Sequence, residues 1–321
     1  MRRQILTRNG TIHDSREFPC SAPGQSQRVA YGSFRVAVLI TCFNRRAVTL
    51  RSLSSLAAQD SLDRINTTTF LVDDSSSDGT AEAVQLQFPE VRLLRGDGTL
   101  FWEGGMRMAF AAARREEFDA YLFVNDDTVL YPDAIQKVVS CAREQLSSGS
   151  PAIVVGSTRS PVTGEHTYGG FFRRIRGPRL TLEKVMPDVS AAVPCDTMNC
   201  NFTLIPKEIA EVLGDLEPRF RHQFGDVDYG LRAKKAGFQV VVVPGYIGEC
   251  AENHAAHLWR DSKASFDMRW RHLLSPKGVP FREWLLFTRR HYGWRWLLYF
   301  CSPYAKTILS GLVRGRFSRA R

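Results

Sequence analysis

Three apolar runs in the first half of the chain each end in a polar cluster, and this arrangement narrows the fold more than any other feature. Residues 36–40 (VAVLI) run into Thr41, Cys42, Phe43, Asn44 and Arg45. Residues 69–72 (TFLV) run into Asp73, Asp74 and a serine-rich turn closed by Asp78 and Gly79. Residues 120–124 (AYLFV) run into Asn125, Asp126, Asp127 and Thr128. Short runs of this composition read as buried strands. Stretches at helical spacing lie between them, at 47–59 (Val48, Leu50, Leu53, Leu56), 80–88 and 104–117. Another follows at 132–146 with Pro132 near its start, and residues 91–94 add a further strand. Such alternation predicts an α/β fold with a mostly parallel central sheet flanked by helices. Ligands of such sheets sit beyond the carboxyl ends of the strands, where all three polar clusters fall.

The second half is less regular. Residues 152–156, 201–205 and 239–243 read as strands, 228–236 as a helix, and 158–193 as a loop-rich stretch. From Trp259 onward the chain is rich in Arg and holds five of the six tryptophans. Three segments are expected: a flexible lead-in over 1–34, an α/β domain over 35–258, and a helical, basic, aromatic-rich extension over 259–321.

The net charge of +10 is concentrated at the ends. The first 35 residues carry +4 and the last 41 carry +8, which leaves the body at −2. A nucleic-acid binder needs a basic face on its body, so nucleic acid is not an expected partner. Basic ends suit an anionic membrane surface or an anionic carrier lipid. Trp294, Trp296, Tyr299 and Tyr304 beside Arg289, Arg290 and Arg295 fit peripheral contact at the inner face of a membrane. No run reaches the ~18–20 apolar residues of a membrane span, and no apolar run follows the N-terminal arginines. Seven cysteines without a CxxC pair indicate neither a disulfide framework nor a cysteine zinc site, and a cytoplasmic location is expected.

The acid clusters carry the chemistry. A carboxylate in the turn after residue 72 can accept hydrogen bonds from a base N–H or a ribose hydroxyl. Asp126 and Asp127 repel each other unless something positive sits between them. A Mg²⁺ or Mn²⁺ ion bound to diphosphate oxygens would meet that need. Asp226 and Asp228 stand at the start of a helix whose dipole favours their ionised forms, so one of them can act as a general base and the other as a cap. In the segment 96–107, Gly104 and Gly105 would let the backbone approach a ligand, Arg107 could reach phosphate, and Phe101 and Trp102 offer faces for a sugar ring.

In this order and spacing, residues 41–45, 72–79, 125–127 and 225–237 resemble the family 2 glycosyltransferases, inverting enzymes with the GT-A fold, over roughly residues 36–250. Segments 96–107 and 275–304 look closer to bacterial members that build cell-surface polysaccharide, of the rhamnosyltransferase-like or galactofuranosyltransferase-like kind. The resemblance implies a nucleotide-diphospho-sugar donor, UDP- or dTDP-linked, and a glycan or lipid-linked acceptor. It implies that Thr41, Phe43 and Arg45 line the nucleotide, that Asp74 holds the base, and that Asp126 faces ribose or metal. Asp127 would bind the metal and Asp226 would be the catalytic base, with Asp228 close by. Some relatives supply a metal-ligating His after the strand that follows this helix. Here Cys250 stands at that place, with His254 and His257 beyond it, and a shifted His254 is the expected third ligand.

Two rival classes make different demands. A sugar-1-phosphate nucleotidyltransferase would want a glycine-rich phosphate loop after the first strand, and residues 41–45 contain no glycine. A catalytically inactive glycan-binding relative would bind donor without turnover.

Overall fold

The computed structural model describes residues 33–60, 64–176, 179–252, 258–261 and 263–318. Nearly all of the expected lead-in lies outside the described residues. The first strand, β1 (Phe34–Cys42), pairs in parallel with β2 (Ile65–Asp73) on one side and β4 (Ala120–Val124) on the other. A third strand, β3 (Arg92–Arg95), pairs in parallel with β2. The connections are helices: α1 (Arg46–Ala57), α2 (Thr80–Gln87) and α3 (Phe101–Ala113). The chain builds outward from β1 to β3 and then crosses back to place β4 on the opposite side of β1. The crevice beyond the carboxyl ends of β1 and β4 is therefore the point where ligands collect in such sheets.

The rest of the sheet follows from β5 (Val129–Leu130), β6 (Ala152–Arg159), β9 (Val193–Cys195), β11 (Phe202–Pro206) and β12 (Gln239–Glu249). Among the described residues the sheet has nine strands; β11 runs antiparallel between β4 and β6, and β5 and β9 run antiparallel to β12. The other six share one direction, so the sheet is mostly parallel as expected. Successive side chains of β1 alternate between the two faces. Val36, Val38 and Ile40 pack with Leu53 of α1 and with Ile135, Val138 and Val139 of α4 (Ala134–Ser147). Ala37 and Leu39 pack with Met106, Ala109 and Phe110 of α3. All five positions from Val36 to Ile40 are buried, because helices cover both faces of the sheet.

Three differences from the sequence expectation matter. The stretch expected to be loop-rich contains β7 (Gly170–Arg176) and β8 (Arg179–Lys184), which form a three-stranded sheet with β10 (Thr197–Met198). Arginines hid the strand signal there. Arg174 lies over the Phe172 ring at 4.7 Å and its Nε donates to Glu183 at 3.3 Å across the hairpin. Helix α6 (Gly225–Lys235) starts earlier than expected, so Asp226 and Asp228 both occupy its first turn. Helix α3 also starts early, at Phe101, which puts Glu103, Gly104 and Gly105 inside it.

The C-terminal segment forms α7 (Phe266–Leu274), α8 (Phe281–His291) and α9 (Trp296–Ser318). Helix α8 is joined to the domain: Phe287 and Trp284 pack on Phe224, with ring centroids 5.0 and 5.3 Å apart, in a cluster with Phe220 and Leu231 of α6. Along α9 and the turn before it, Trp294, Leu297, Leu298, Ile308 and Leu309 are exposed. Among the described residues no helix is long and apolar enough to cross a membrane.

Candidate active site

The crevice is built by the loops after β1, β2 and β4. The first two loops are tied together: the Asn44 N–H donates to Ser76 Oγ at 2.8 Å, the Ser77 N–H to Asn44 Oδ1 at 2.7 Å, and the Arg46 N–H to Asp78 Oδ2 at 2.9 Å. Asp78 is held below the usual carboxylate range, first by the Thr80 hydroxyl and then by the Arg46 N–H. Above this base the Arg45 guanidinium bridges the acid pair, donating to Asp126 at 2.9 Å and to Asp127 at 2.6 Å. The positive group that two adjacent carboxylates require is thus supplied by the chain itself. Asp126 is buried, and burial pushes its carboxyl up to about 7, with Arg45 opposing and Asp127 adding to the rise. Phe43 is exposed beside this site, and Thr41 is buried at the end of β1.

Asp126 and Asp127 fit Mg²⁺ or Mn²⁺, which take one or two protein carboxylates and complete their shell with phosphate and water. Among the described residues no group of three or more His, Cys, Asp and Glu side chains could hold a metal. The expected third ligand, His254, lies outside the described residues. Cys250 does reach the pair, since its thiol donates to Asp127 at 3.4 Å. Burial, and then the charge of Asp127, push that thiol far above its ordinary range, so with no metal bound it is a protonated hydrogen-bond donor to the pair.

Several expected donor residues have other partners. Asp74 is buried, and its two oxygens accept the N–H groups of Gly98 at 2.8 Å and Phe101 at 3.2 Å. These bonds fold the 96–101 loop against β2. Gly105 is a packing glycine: a Cβ there would fall 2.0 Å from Thr41 Oγ1. Gly104 faces Leu100, with a would-be Cβ 3.1 Å from the Leu100 Cβ. Gly105 lets α3 lie close on the first strand. Arg107 Nε donates to Asp215 at 3.1 Å, which ties α3 to the loop before α6. Trp102 Nε1 donates to Asn125 Oδ1 at 2.8 Å and fastens the start of α3 to the end of β4. Phe101 packs edge-on against His222.

The two acids of α6 separate clearly. Asp226 is half-buried, and Asn199 Nδ2 donates to its Oδ2 at 3.2 Å. Burial raises its proton affinity above that of an ordinary carboxylate, against the lowering effect of Asn199. Asp228 is fully buried and saturated: it accepts Arg232 Nε at 2.9 Å and Arg290 Nη1 at 2.8 Å, and His291 Nε2 lies 2.7 Å from Oδ1. Burial alone would raise Asp228, but the hydrogen bonds from His291 and Arg290 outweigh it and hold the group low. Asp228, expected close by the base, stands two residues on from Asp226 and joins α6 to α8 through these partners. Sequence reasoning also missed Glu103 and Asn199. An acid inside the otherwise apolar start of α3 was the available signal for Glu103; Asn199 had none.

A family model described as "Glycosyltransferase like family 2" matches residues 34–272. The chain belongs to the family 2 glycosyltransferases. The match ends within α7, so it takes in every loop of the crevice and the α6 acids. The galactofuranosyltransferase GlfT2 of Mycobacterium tuberculosis is 25% identical over 282 residues, which is 79% of this chain and 42% of GlfT2. The family 2 chain thus spans about two fifths of the length of that relative. Among solved structures, S. aureus TarS 1-349 aligns with a TM-score of 0.50 at 12% identity, covering 84% of this chain and 72% of that one. GalNAc-T7 with UDP, GalNAc and Mn²⁺ aligns with a TM-score of 0.52 at 13% identity, covering 68% and 43%. The fold of this family 2 chain is the GT-A fold, as its sequence led one to expect.

Proposed function

We propose that this family 2 chain transfers a sugar from a nucleotide diphosphate, UDP- or dTDP-linked, to a hydroxyl of a glycan or lipid-linked acceptor, inverting the anomeric configuration. Family membership supports the reaction class. The observation that carries the assignment of roles is the division of labour in α6, where Asp228 is saturated and Asp226 keeps a half-buried carboxylate of raised proton affinity. Asp226 takes the proton of the acceptor hydroxyl as that oxygen attacks the anomeric carbon from the face opposite the leaving group. One displacement needs no protein nucleophile. Asn199 orients the Asp226 carboxylate.

The nucleotide lies over the crevice, with Thr41 and Phe43 beside it and Arg45 turning from the acid pair to the diphosphate. Asp126 and Asp127 would hold a divalent cation, which when bound offsets the charge that develops on the diphosphate. Asp74 and the loop it folds wall the site. The exposed apolar residues of α9, beside Arg295 and Lys306, give peripheral contact with a membrane that carries the acceptor. Asp226→Asn should retain stabilisation by nucleotide and lose transfer. Transfer retained by that variant would remove Asp226 from the role of base.

A further inference from the structure

Glu103 is used by neither half of the proposed reaction. It stands in the first turn of α3, fully buried, and neither carboxyl oxygen has a hydrogen-bond partner among the described residues. The carboxyl lies against the head of α6, since a Cβ on Gly225 would fall 1.6 Å from Oε2 and 2.1 Å from Oε1. The Glu103 N–H donates to the Arg221 carbonyl at 3.1 Å, in the loop that leads into α6. The starts of α3 and α6 therefore meet at this side chain, one residue before Asp226. The backbone is forced on both sides: Phe101 (φ 55°) and Phe224 (φ 76°) are left-handed, a conformation that side-chain-bearing residues adopt only when their surroundings compel it.

The charges around Glu103 do not favour a carboxylate. Asp226 and Asp228 of α6, and Asp215 of the loop after α5 (Lys207–Leu213), all repel a negative charge there. Arg107, one turn along α3, attracts it but is committed to Asp215. Cys200, before β11, is a buried thiol pushed far up by burial and then by Asp226 and Glu103. His222, in the loop before α6, is lowered to about 4 by burial and is neutral. Burial, followed by Asp226, raises Glu103 well above the ordinary glutamate range. An ionised carboxylate buried here, with no partner among the described residues, is disfavoured, whereas a neutral carboxyl tolerates the site.

We propose that Glu103 is a positioning residue for Asp226: a neutral carboxyl wedged against Gly225 that fixes where α6 begins and where the base points. Its ionisation would set a second negative charge against the base and force the two helix starts apart. This inference rests on the reading of Asp226 as the base.

The test compares the wild type with Glu103→Gln, which keeps shape and neutrality, with Glu103→Ala, and with Asp226→Asn. A carboxyl raised in the folded state contributes stability that is full at low pH and is lost as the pH rises from its unfolded value of about 4.5. The melting temperature of Glu103→Gln should therefore gain on the wild type as the pH rises above about 4.5. Glu103→Gln should keep most of the transfer rate and hold it as the pH rises, where the wild type declines. Glu103→Ala should lose about a hundredfold, in kcat rather than KM, as expected of a misplaced base. A Glu103→Gln chain as inactive as Glu103→Ala, with a melting difference that does not change with pH, would overturn the proposal. Transfer by Asp226→Asn would instead defeat the base reading, while the melting series reads Glu103 without any catalysis.

Discussion

Arg45 donates to Asp127 at 2.6 Å, and the same guanidinium reaches Asp126 at 2.9 Å, so the acid pair at the end of β4 already carries an internal counter-charge. A divalent cation must displace that arginine, and a diphosphate gives the arginine somewhere to go. Arg45→Ala should tighten Mn²⁺ binding to the nucleotide-free protein by about tenfold, the effect of about 1.4 kcal/mol, and should weaken binding of a nucleoside diphosphate. Electron paramagnetic resonance of free Mn²⁺ reads the first effect and calorimetry the second. Unchanged Mn²⁺ affinity would mean that the arginine does not compete for the pair.

The joint between α6 and α8 predicts acid sensitivity. Glu217, hydrogen-bonded by Arg219 and Arg290, is held down to about 2, from an ordinary value of 4.5. Asp228 is lowered as well. Depressed carboxylates contribute stability that is present above their unfolded values and is lost as the pH falls through the folded ones. Docking of α8 should therefore weaken between about pH 4.5 and about pH 2. Fluorescence of Trp284, packed on Phe224 and Phe287, should report it. Arg290→Ala leaves Asp228 buried with fewer cations and should cost about 3 kcal/mol in urea unfolding at neutral pH. A loss near zero would show that Arg232 and His291 suffice.

The contact between Gly105 and Thr41 sets how closely α3 lies on β1. Gly105→Ala overpacks that contact and should destabilise the protein by about 1–3 kcal/mol in chemical denaturation. It should also weaken nucleotide binding by moving Thr41. Unchanged stability in Gly105→Ala would contradict the packing account.

The exposed face of α9 predicts surface binding. Replacing Leu297 and Leu298 together by Asp should abolish co-sedimentation with vesicles containing anionic lipid, with no change in melting temperature, because both side chains are exposed. Co-sedimentation at wild-type level would place membrane contact elsewhere.

The sheet and the loops at its carboxyl edge were legible because buried parallel strands are written as continuous apolar runs ending in polar clusters. The β7–β8 hairpin was not, because arginines that lie over aromatic rings or pair across strands look like solvent-facing residues in sequence. The three acid clusters could be picked out in sequence, but the partners of their individual side chains could not. Whether Asp74 faces a ligand or the N–H groups of Gly98 and Phe101 depends on a loop 24 residues downstream in the chain. Whether Asp228 is free depends on Arg290 and His291, more than 60 residues away. Pairings at such distances leave no local pattern, and neither does the burial of Glu103.

The measurement that bears most directly on the account is the melting temperature of the protein with a panel of nucleoside diphosphates, each in the presence of Mn²⁺ or of chelator. A ligand that binds only the folded state must raise it. The account predicts stabilisation by UDP or dTDP that depends on Mn²⁺ and is lost in Asp126→Ala and Asp127→Ala. No stabilisation by any nucleotide, with or without metal, would contradict the donor site and favour a glycan-binding role without turnover.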